Sequence, residues 1–151
     1  MISDFLRPTS DLARPWLTSV HHPSCAKLRI VVVEDDPLIA LDLETSLLDL
    51  GYEVCACAAN SLEANAMGER YRPDIVTLDL NLNDGPTGVS VAHALYSRYG
   101  VRPLVISGSI TPFSIDELRA TNPLGYIDKP HRLDLIEAAL AKFSRRPCYG
   151  R

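Results

Sequence analysis

The side chains best suited to chemistry are Glu34, Asp35, Asp79, Ser107 and Lys129, with Asn81 close behind Asp79. Each of the first five follows a short apolar run. Asp79 lies within Ile75-Val76-Thr77-Leu78-Asp79-Leu80-Asn81-Leu82, a stretch rich in β-branched residues that reads as a buried strand. Alone, Asp79 would serve equally well as a helix cap. Likewise Lys129-Pro130 alone reads as a loop, Ser107-Gly108 as a turn, and Glu34-Asp35-Asp36 as an acidic helix start favoured by the dipole. Brought together they say more. Three carboxylates in one place repel, so either one is protonated or a hard cation neutralises them. Carboxylates plus waters describe a Mg²⁺ site, and the backbone carbonyl of Asn81 could add an oxygen. A cation beside a free carboxylate oxygen suggests phosphoryl transfer, with Asp79 as the nucleophile that forms an acyl phosphate. The metal would bridge Asp79 and the incoming phosphoryl oxygens. Lys129 would hold another oxygen as a point charge, and Ser107 would donate a hydroxyl hydrogen bond to a third. Positioning and charge neutralisation are then most of the catalysis required.

The elements that must position these residues alternate along the chain. Leu28 to Val33 is a continuous apolar strand, of the kind covered on both faces. Asp36 suits an N-cap and Pro37 the first helical position. Ile39, Leu43, Leu47 and Leu50 follow as a helical stripe that Gly51 can end. Tyr52 to Ala58 reads as a second strand, and Ser61 can cap a helix running to about Tyr71. After the Asp79 strand, Asn83-Asp84-Gly85-Pro86 is strong turn chemistry. Gly88 to Tyr99 is a third helix, with Val89, Ala92 and Tyr96 on one side. Pro103 to Ser107 is the fourth strand. Pro112 and Pro123 leave room only for a short helix near Ser114 to Ala120. Gly125 to Asp128 is the fifth strand, and Leu133, Ile136, Leu140 and Phe143 mark the last helix. Five alternations of strand and helix demand a parallel sheet with helices on both faces. The best candidate is a doubly wound five-stranded α/β sheet of order 2-1-3-4-5. In that order strands 1 and 3 flank the topological switch point, where ligands bind outside the carboxyl ends of the strands.

Length and composition bound the rest. The chain has 151 residues, 46% hydrophobic and 23% charged, which suits one packed domain. The net charge is −4 and there is no basic block, so no nucleic-acid footprint is expected. No apolar stretch approaches the roughly 18 residues of a membrane span. The N-terminus lacks the charged start and apolar core of a signal peptide, and a cytoplasmic location is expected. Residues 1–27 read as an irregular extension, broken by Pro8, Pro15 and Pro23, with Phe5-Leu6 and Trp16-Leu17 as points that could dock on a neighbour. Residues 28–144 read as the domain and 145–151 as a short tail with no room for an output domain. Cys25, Cys55, Cys57 and Cys148 are expected to be reduced structural thiols. Cys55 and Cys57 are expected on opposite faces of their strand, with no shared metal or mutual disulfide.

Four motifs together carry a resemblance to a known family: Val33-Glu34-Asp35-Asp36-Pro37-Leu38-Ile39, Leu78-Asp79-Leu80-Asn81-Leu82, Ser107-Gly108 and Gly125-Tyr126-Ile127-Asp128-Lys129-Pro130. From about Leu28 to Phe143 the chain resembles a response-regulator receiver domain of bacterial two-component signalling. The resemblance implies Asp79 as phosphoacceptor, Glu34 and Asp35 as the acidic pair with Asp35 a direct metal ligand, Ser107 and Tyr126 as switch residues, and Lys129 as the family's lysine. Asn81 and Ser109 stand where the family tunes the lifetime of the acyl phosphate. It further implies a histidine kinase or phosphotransfer protein as donor and a downstream protein as target, without turnover of an external substrate. Three features depart from the pattern, one being that no output domain is expected after Phe143, so that the resemblance is to a stand-alone, single-domain receiver. The fourth helix is short, and His131 follows Lys129-Pro130 where an aromatic is common; His131 reads as a surface loop residue. The rival within the family is a degenerate receiver that binds proteins regardless of phosphorylation. Outside it, a flavin-binding electron carrier shares the topology. It would need a phosphate cradle after strand 1, where Glu34-Asp35-Asp36 would repel the ligand. An aspartyl-phosphate phosphatase would want a general acid close behind Asp79, where Leu80 and Asn81 stand.

Overall fold

The computed structural model describes residues 27–144. The extension's Phe5-Leu6 and Trp16-Leu17, the tail, Cys25 and Cys148 lie outside the described residues. Ten regular elements alternate: β1 (Arg29–Val33), α1 (Pro37–Asp49), β2 (Glu53–Ala58), α2 (Ser61–Tyr71), β3 (Ile75–Leu78), α3 (Gly88–Tyr99), β4 (Arg102–Ser107), α4 (Pro112–Leu118), β5 (Gly125–Asp128) and α5 (Leu133–Ser144). A 3-10 turn at Arg119–Thr121 extends α4. The five strands are parallel, in the order β2-β1-β3-β4-β5. No helix among the described residues is long and apolar enough to cross a membrane.

Alternation along each strand sends side chains to two cores. Ile30, Val32, Ile75, Leu104 and Ile106 meet Leu43 and Leu47 of α1 and Ile136 and Leu140 of α5. Val31, Val33, Val76, Leu78 and Val105 meet Ala64 of α2, Val91, Ala92 and Leu95 of α3, and Leu118 of α4. Both faces of β1 and β3 are therefore buried, which is why, apart from Arg29 at the start of β1 and the buried Thr77 of β3, those strands are apolar. The helix ends follow local chemistry. The Asp36 carboxylate accepts from the amides of Leu38 and Ile39, capping α1. Gly51 takes the positive φ that leaves it at 91°.

Two local expectations change. Asn60, not Ser61, caps α2, its side chain accepting from the Glu63 amide at 2.8 Å. Adjacent Asn and Ser are comparable caps, and Ser61 is drawn elsewhere. The buried stripe of α3 is Gly88, Val91, Ala92 and Leu95, rotated from the expected one; Val89 and Tyr96 are only half-buried.

The cysteines reach opposite faces by a route that alternation alone does not supply. Residues two apart on a regular strand share a face. The β1–β2 register jumps, with Ile30 opposite Val54 but Val31 opposite Ala56, leaving Cys55 as the extra residue of a bulge. Cys55 and Ala56 both pack on the α2 and α3 side. The Cys57 thiol instead lies 3.7 Å from Oε2 of Glu44 on α1. Burial first, then the Glu44 charge and hydrogen bond, push the Cys57 thiol up to about 11. Iodoacetamide at pH 8 is expected to alkylate Cys57 roughly 20-fold more slowly than an ordinary thiol, after allowing for the greater nucleophilicity of a more basic thiolate. Peptide mapping of the label reads this directly, and Glu44→Gln should raise the rate.

Candidate phosphoacceptor site

The parallel sheet delivers the carboxyl ends of β1, β3, β4 and β5 to one edge. Glu34 follows β1, with its amide still donating to Ala58 O at 2.9 Å. Asp79 follows β3 and donates to Val33 O at 3.0 Å. Ser107 ends β4, and Lys129 follows β5 with its amide on Ser107 O at 3.1 Å. Each side chain is thus held at the first position beyond the ladder, or at its last. Ladder bonds fix these backbones to within the tolerance that a reacting centre needs.

Both oxygens of Asp79 are engaged, although the residue is only 6% exposed. Oδ1 accepts from the Ser107 hydroxyl at 2.8 Å and from the Asn81 amide at 3.2 Å. Oδ2 accepts from Lys129 Nζ at 2.6 Å. Ser107 Oγ accepts in turn from the amides of Ser109 at 3.2 Å and Leu80 at 3.4 Å. Donating to the Asp79 carboxylate on one side and accepting from two amides on the other, the buried hydroxyl is held in one orientation. Lys129 Nζ also lies 2.5 Å from Glu34 Oε2, a contact of charges in which no donor meets that oxygen at a hydrogen-bonding angle. Glu34 Oε1 accepts from the Asp36 amide at 3.1 Å.

The electrostatics follow from this crowding. Burial raises the Glu34 carboxyl above its ordinary value, and the repulsion from Asp79 adds to it; Lys129 and the Asp36 amide only partly offset the rise. Burial works against the Lys129 ammonium, but the hydrogen bond to Asp79 and the close contacts with the Asp79 and Glu34 carboxylates outweigh it, and its pKa is raised. One lysine therefore balances two buried carboxylates, with Asp35 half-exposed beside them.

Glu34, Asp35 and Asp79 can each present one oxygen such that all three lie within 4.8 Å of one another. This donor set is all carboxylate oxygen and carries more negative charge than Lys129 alone cancels. It fits a hard divalent cation of the Mg²⁺ type.

The remaining expected residues sit around this centre. Asn81 is exposed, and its side-chain amide donates to the Ser109 hydroxyl, so these two positions touch. Tyr126 is half-buried and directed at α4, its hydroxyl donating to Ile115 O at 3.3 Å rather than entering the Asp79 cluster. His131 Nε2 lies 2.8 Å from Asp42 Oδ2 on α1, away from Asp79. Sequence reasoning overlooked Gly88 and Asp84. A Cβ on Gly88 would overlap the carbonyl oxygen of Asp79 and come within 2.6 Å of Leu80 Cα. Asp84 was legible only as a turn residue.

The family model described as the response regulator receiver domain matches residues 30–141. The transcriptional regulatory protein PdtaR of Mycobacterium tuberculosis (strain H37Rv) is 30% identical over 122 residues, 78% of this chain and 57% of its own length. The chain thus spans a little over half of that relative. Protein Rrf1 of Nitratidesulfovibrio vulgaris is 35% identical over 123 residues, 78% of this chain and 86% of its own. Among solved structures, a response regulator protein from Burkholderia pseudomallei, crystallised with a phosphorylated aspartic acid, calcium ion and citrate, superposes with a TM-score of 0.68. It is 26% identical, over 77% of this chain and 68% of that one. With the strand order and the Asp79 cluster in place, the chain belongs to the response regulator receiver domain family of two-component signalling.

Proposed function

We propose that this protein is a phosphorylation-activated response regulator acting in the cytoplasm. Asp79 accepts a phosphoryl group in a Mg²⁺-dependent reaction, and a histidine kinase or phosphotransfer protein donates it. The observation that carries the reading is the pairing of Asp79 with both the Ser107 hydroxyl and the Lys129 ammonium at one sheet edge. A Burkholderia pseudomallei relative with a phosphorylated aspartic acid and a calcium ion lends the same reading support.

The step is an in-line displacement. An Asp79 oxygen attacks phosphorus, the bond from phosphorus to the donor nitrogen breaks, and the electron pair leaves with the donor imidazole. Glu34, Asp35 and Asp79, with the Asn81 carbonyl, would hold the Mg²⁺, which supplies charge neutralisation at the phosphoryl oxygens. Lys129 moves its charge from the bare Asp79 carboxylate to a phosphoryl oxygen. Ser107 turns its hydroxyl from Asp79 to another, breaking its present bond. That movement vacates space beside β4, and Tyr126 gives up Ile115 O as it turns inward. The face of α4, β5 and α5 then changes its affinity for a downstream protein, a local charge event that biases a two-state surface. The donor protein has an apolar approach, since α1 leaves Leu38 and Leu41 exposed in the turns that follow the acidic pair, with Leu48 exposed further along the helix.

Incubation of the purified chain with acetyl phosphate and Mg²⁺, followed by intact mass measurement, tests the reading. A gain of about 80 Da, lost on mild alkali as an acyl phosphate should be, is expected with Mg²⁺ and absent with EDTA. Failure to gain that mass from either acetyl phosphate or a cognate kinase would leave a receiver-shaped protein-binding module in its place.

A further inference from the structure

The loop between Asp79 and α3 is tied to its surroundings by one of its own residues, which takes no part in the cluster. Leu82 and Gly85 exchange two backbone hydrogen bonds of 2.9 Å, closing a tight turn whose last residue has φ 108°, a value glycine accepts freely. Asp84 stands in that turn, and its carboxylate reaches residues on either side of it. Oδ2 accepts from the Ser61 amide at 3.1 Å and from the Ser61 hydroxyl. Oδ1 accepts from the Thr87 hydroxyl at 2.9 Å. One carboxylate therefore joins the turn to the first residue of α2 and to the residue before α3. Thr87 occupies the N-cap position of α3 yet makes no side-chain cap; its hydroxyl is spent on Asp84. The hydrogen bond from Ser61, followed by that from Thr87, holds the Asp84 carboxyl below the usual range, so it is ionised at neutral pH.

The contacts run on to the site. Thr87 precedes Gly88, whose amide donates to Leu80 O at 3.1 Å and whose missing side chain lets α3 press on the Asp79 carbonyl. Asn81 sits between, with its amide on Asp79 Oδ1. We propose that Asp84 is a positioning residue for this site: it clamps the loop to the starts of α2 and α3 and so holds Asn81 and the Asp79 backbone where a divalent cation is bound. The proposal rests on the Mg²⁺ reading above and adds to it a residue three positions beyond the ligand set.

The test uses the full chain and Mg²⁺ alone, titrated calorimetrically, with urea unfolding of each variant alongside. Asp84→Ala is expected to raise the Mg²⁺ dissociation constant about tenfold, as loss of an outer partner does at other metal sites. Asp84→Asn keeps one acceptor oxygen and should fall between, and Ser61→Ala should move in the same direction. Ile136→Val, in the core on the other sheet face, lowers stability without touching the loop and should leave the constant unchanged. An unchanged constant in Asp84→Ala overturns the clamp while the Mg²⁺ reading stands. Equal weakening by Ile136→Val also overturns it, since general loosening then accounts for the effect. If the wild-type chain takes up no Mg²⁺, the phosphoacceptor reading falls, and the positioning role falls with it.

Discussion

Asp79→Asn is expected to abolish the labile gain of mass from acetyl phosphate completely, while leaving the fold in place. The amide has nearly the shape of the carboxylate, so it fits the same position beside Ser107 and Lys129. What it lacks is an anionic oxygen able to attack phosphorus and form an acyl phosphate. It also removes one charge from the proposed Mg²⁺ site, so Mg²⁺ affinity should fall in the same variant. No other described acid can substitute easily. Glu34 is 3% exposed with its oxygens turned to Lys129 and the Asp36 amide, and Asp35 lies on the solvent side. Residual labelling at full stoichiometry, mapped by hydroxamate cleavage to another residue, would move the phosphoacceptor elsewhere.

Gly88→Ala carries the largest expected effect on stability. The added methyl would meet Asp79 O and Leu80 Cα, both backbone atoms locked by the β3 ladder and the Gly88 amide. Neither can move aside as a side-chain tip can, so α3 must shift bodily off the sheet. Overpacking of this kind costs about 1–3 kcal/mol, and a clash with backbone belongs at the upper end. A helix gains at most about 1 kcal/mol from Ala over Gly, which leaves a net loss of roughly 2 kcal/mol. Urea unfolding reads that loss as a fall in midpoint with an unchanged slope. Gly68→Ala is the matched control. There the methyl would overlap only the Leu95 side chain, whose terminal carbons can rotate away, and mid-helix propensity favours Ala. Its stability is expected to stay within about 1 kcal/mol of wild type. If Gly88→Ala proves as mild as Gly68→Ala, the contact of α3 with the Asp79 backbone is not rigid.

The two sites differ in how far they could be read from residues alone. Elements bounded by glycine and turn residues were legible in extent: α3 and β5 begin and end where the sequence places them, and the apolar run of β1 differs by one. Asp36 caps α1 as its position before Pro37 implies, because that cap uses only neighbours in the chain. The choice between Asn60 and Ser61 was not legible. Both side chains can cap, and what separates them is Asp84, 23 residues later, which takes the Ser61 amide and hydroxyl. The face that α3 buries was likewise hidden. Valine and tyrosine tolerate half-burial, and the close approach at Gly88 together with the burial of Val91, Ala92 and Leu95 sets the helix's rotation.

The sequence by itself determined the alternation of strand and helix, and with it the parallel doubly wound sheet, because apolar period and turn chemistry act over a few residues. It also determined that acids, a hydroxyl and a lysine would come at strand ends, since each follows its apolar run directly. Only the tertiary structure decided how they meet. It set one Lys129 ammonium against both Glu34 and Asp79, turned Tyr126 toward α4, and placed the bulge that parts Cys55 from Cys57. It also decided that Asp84 reaches α2. These are contacts between segments tens of residues apart. Their geometry depends on register, twist and the packing of two helical layers, none of which a local pattern encodes.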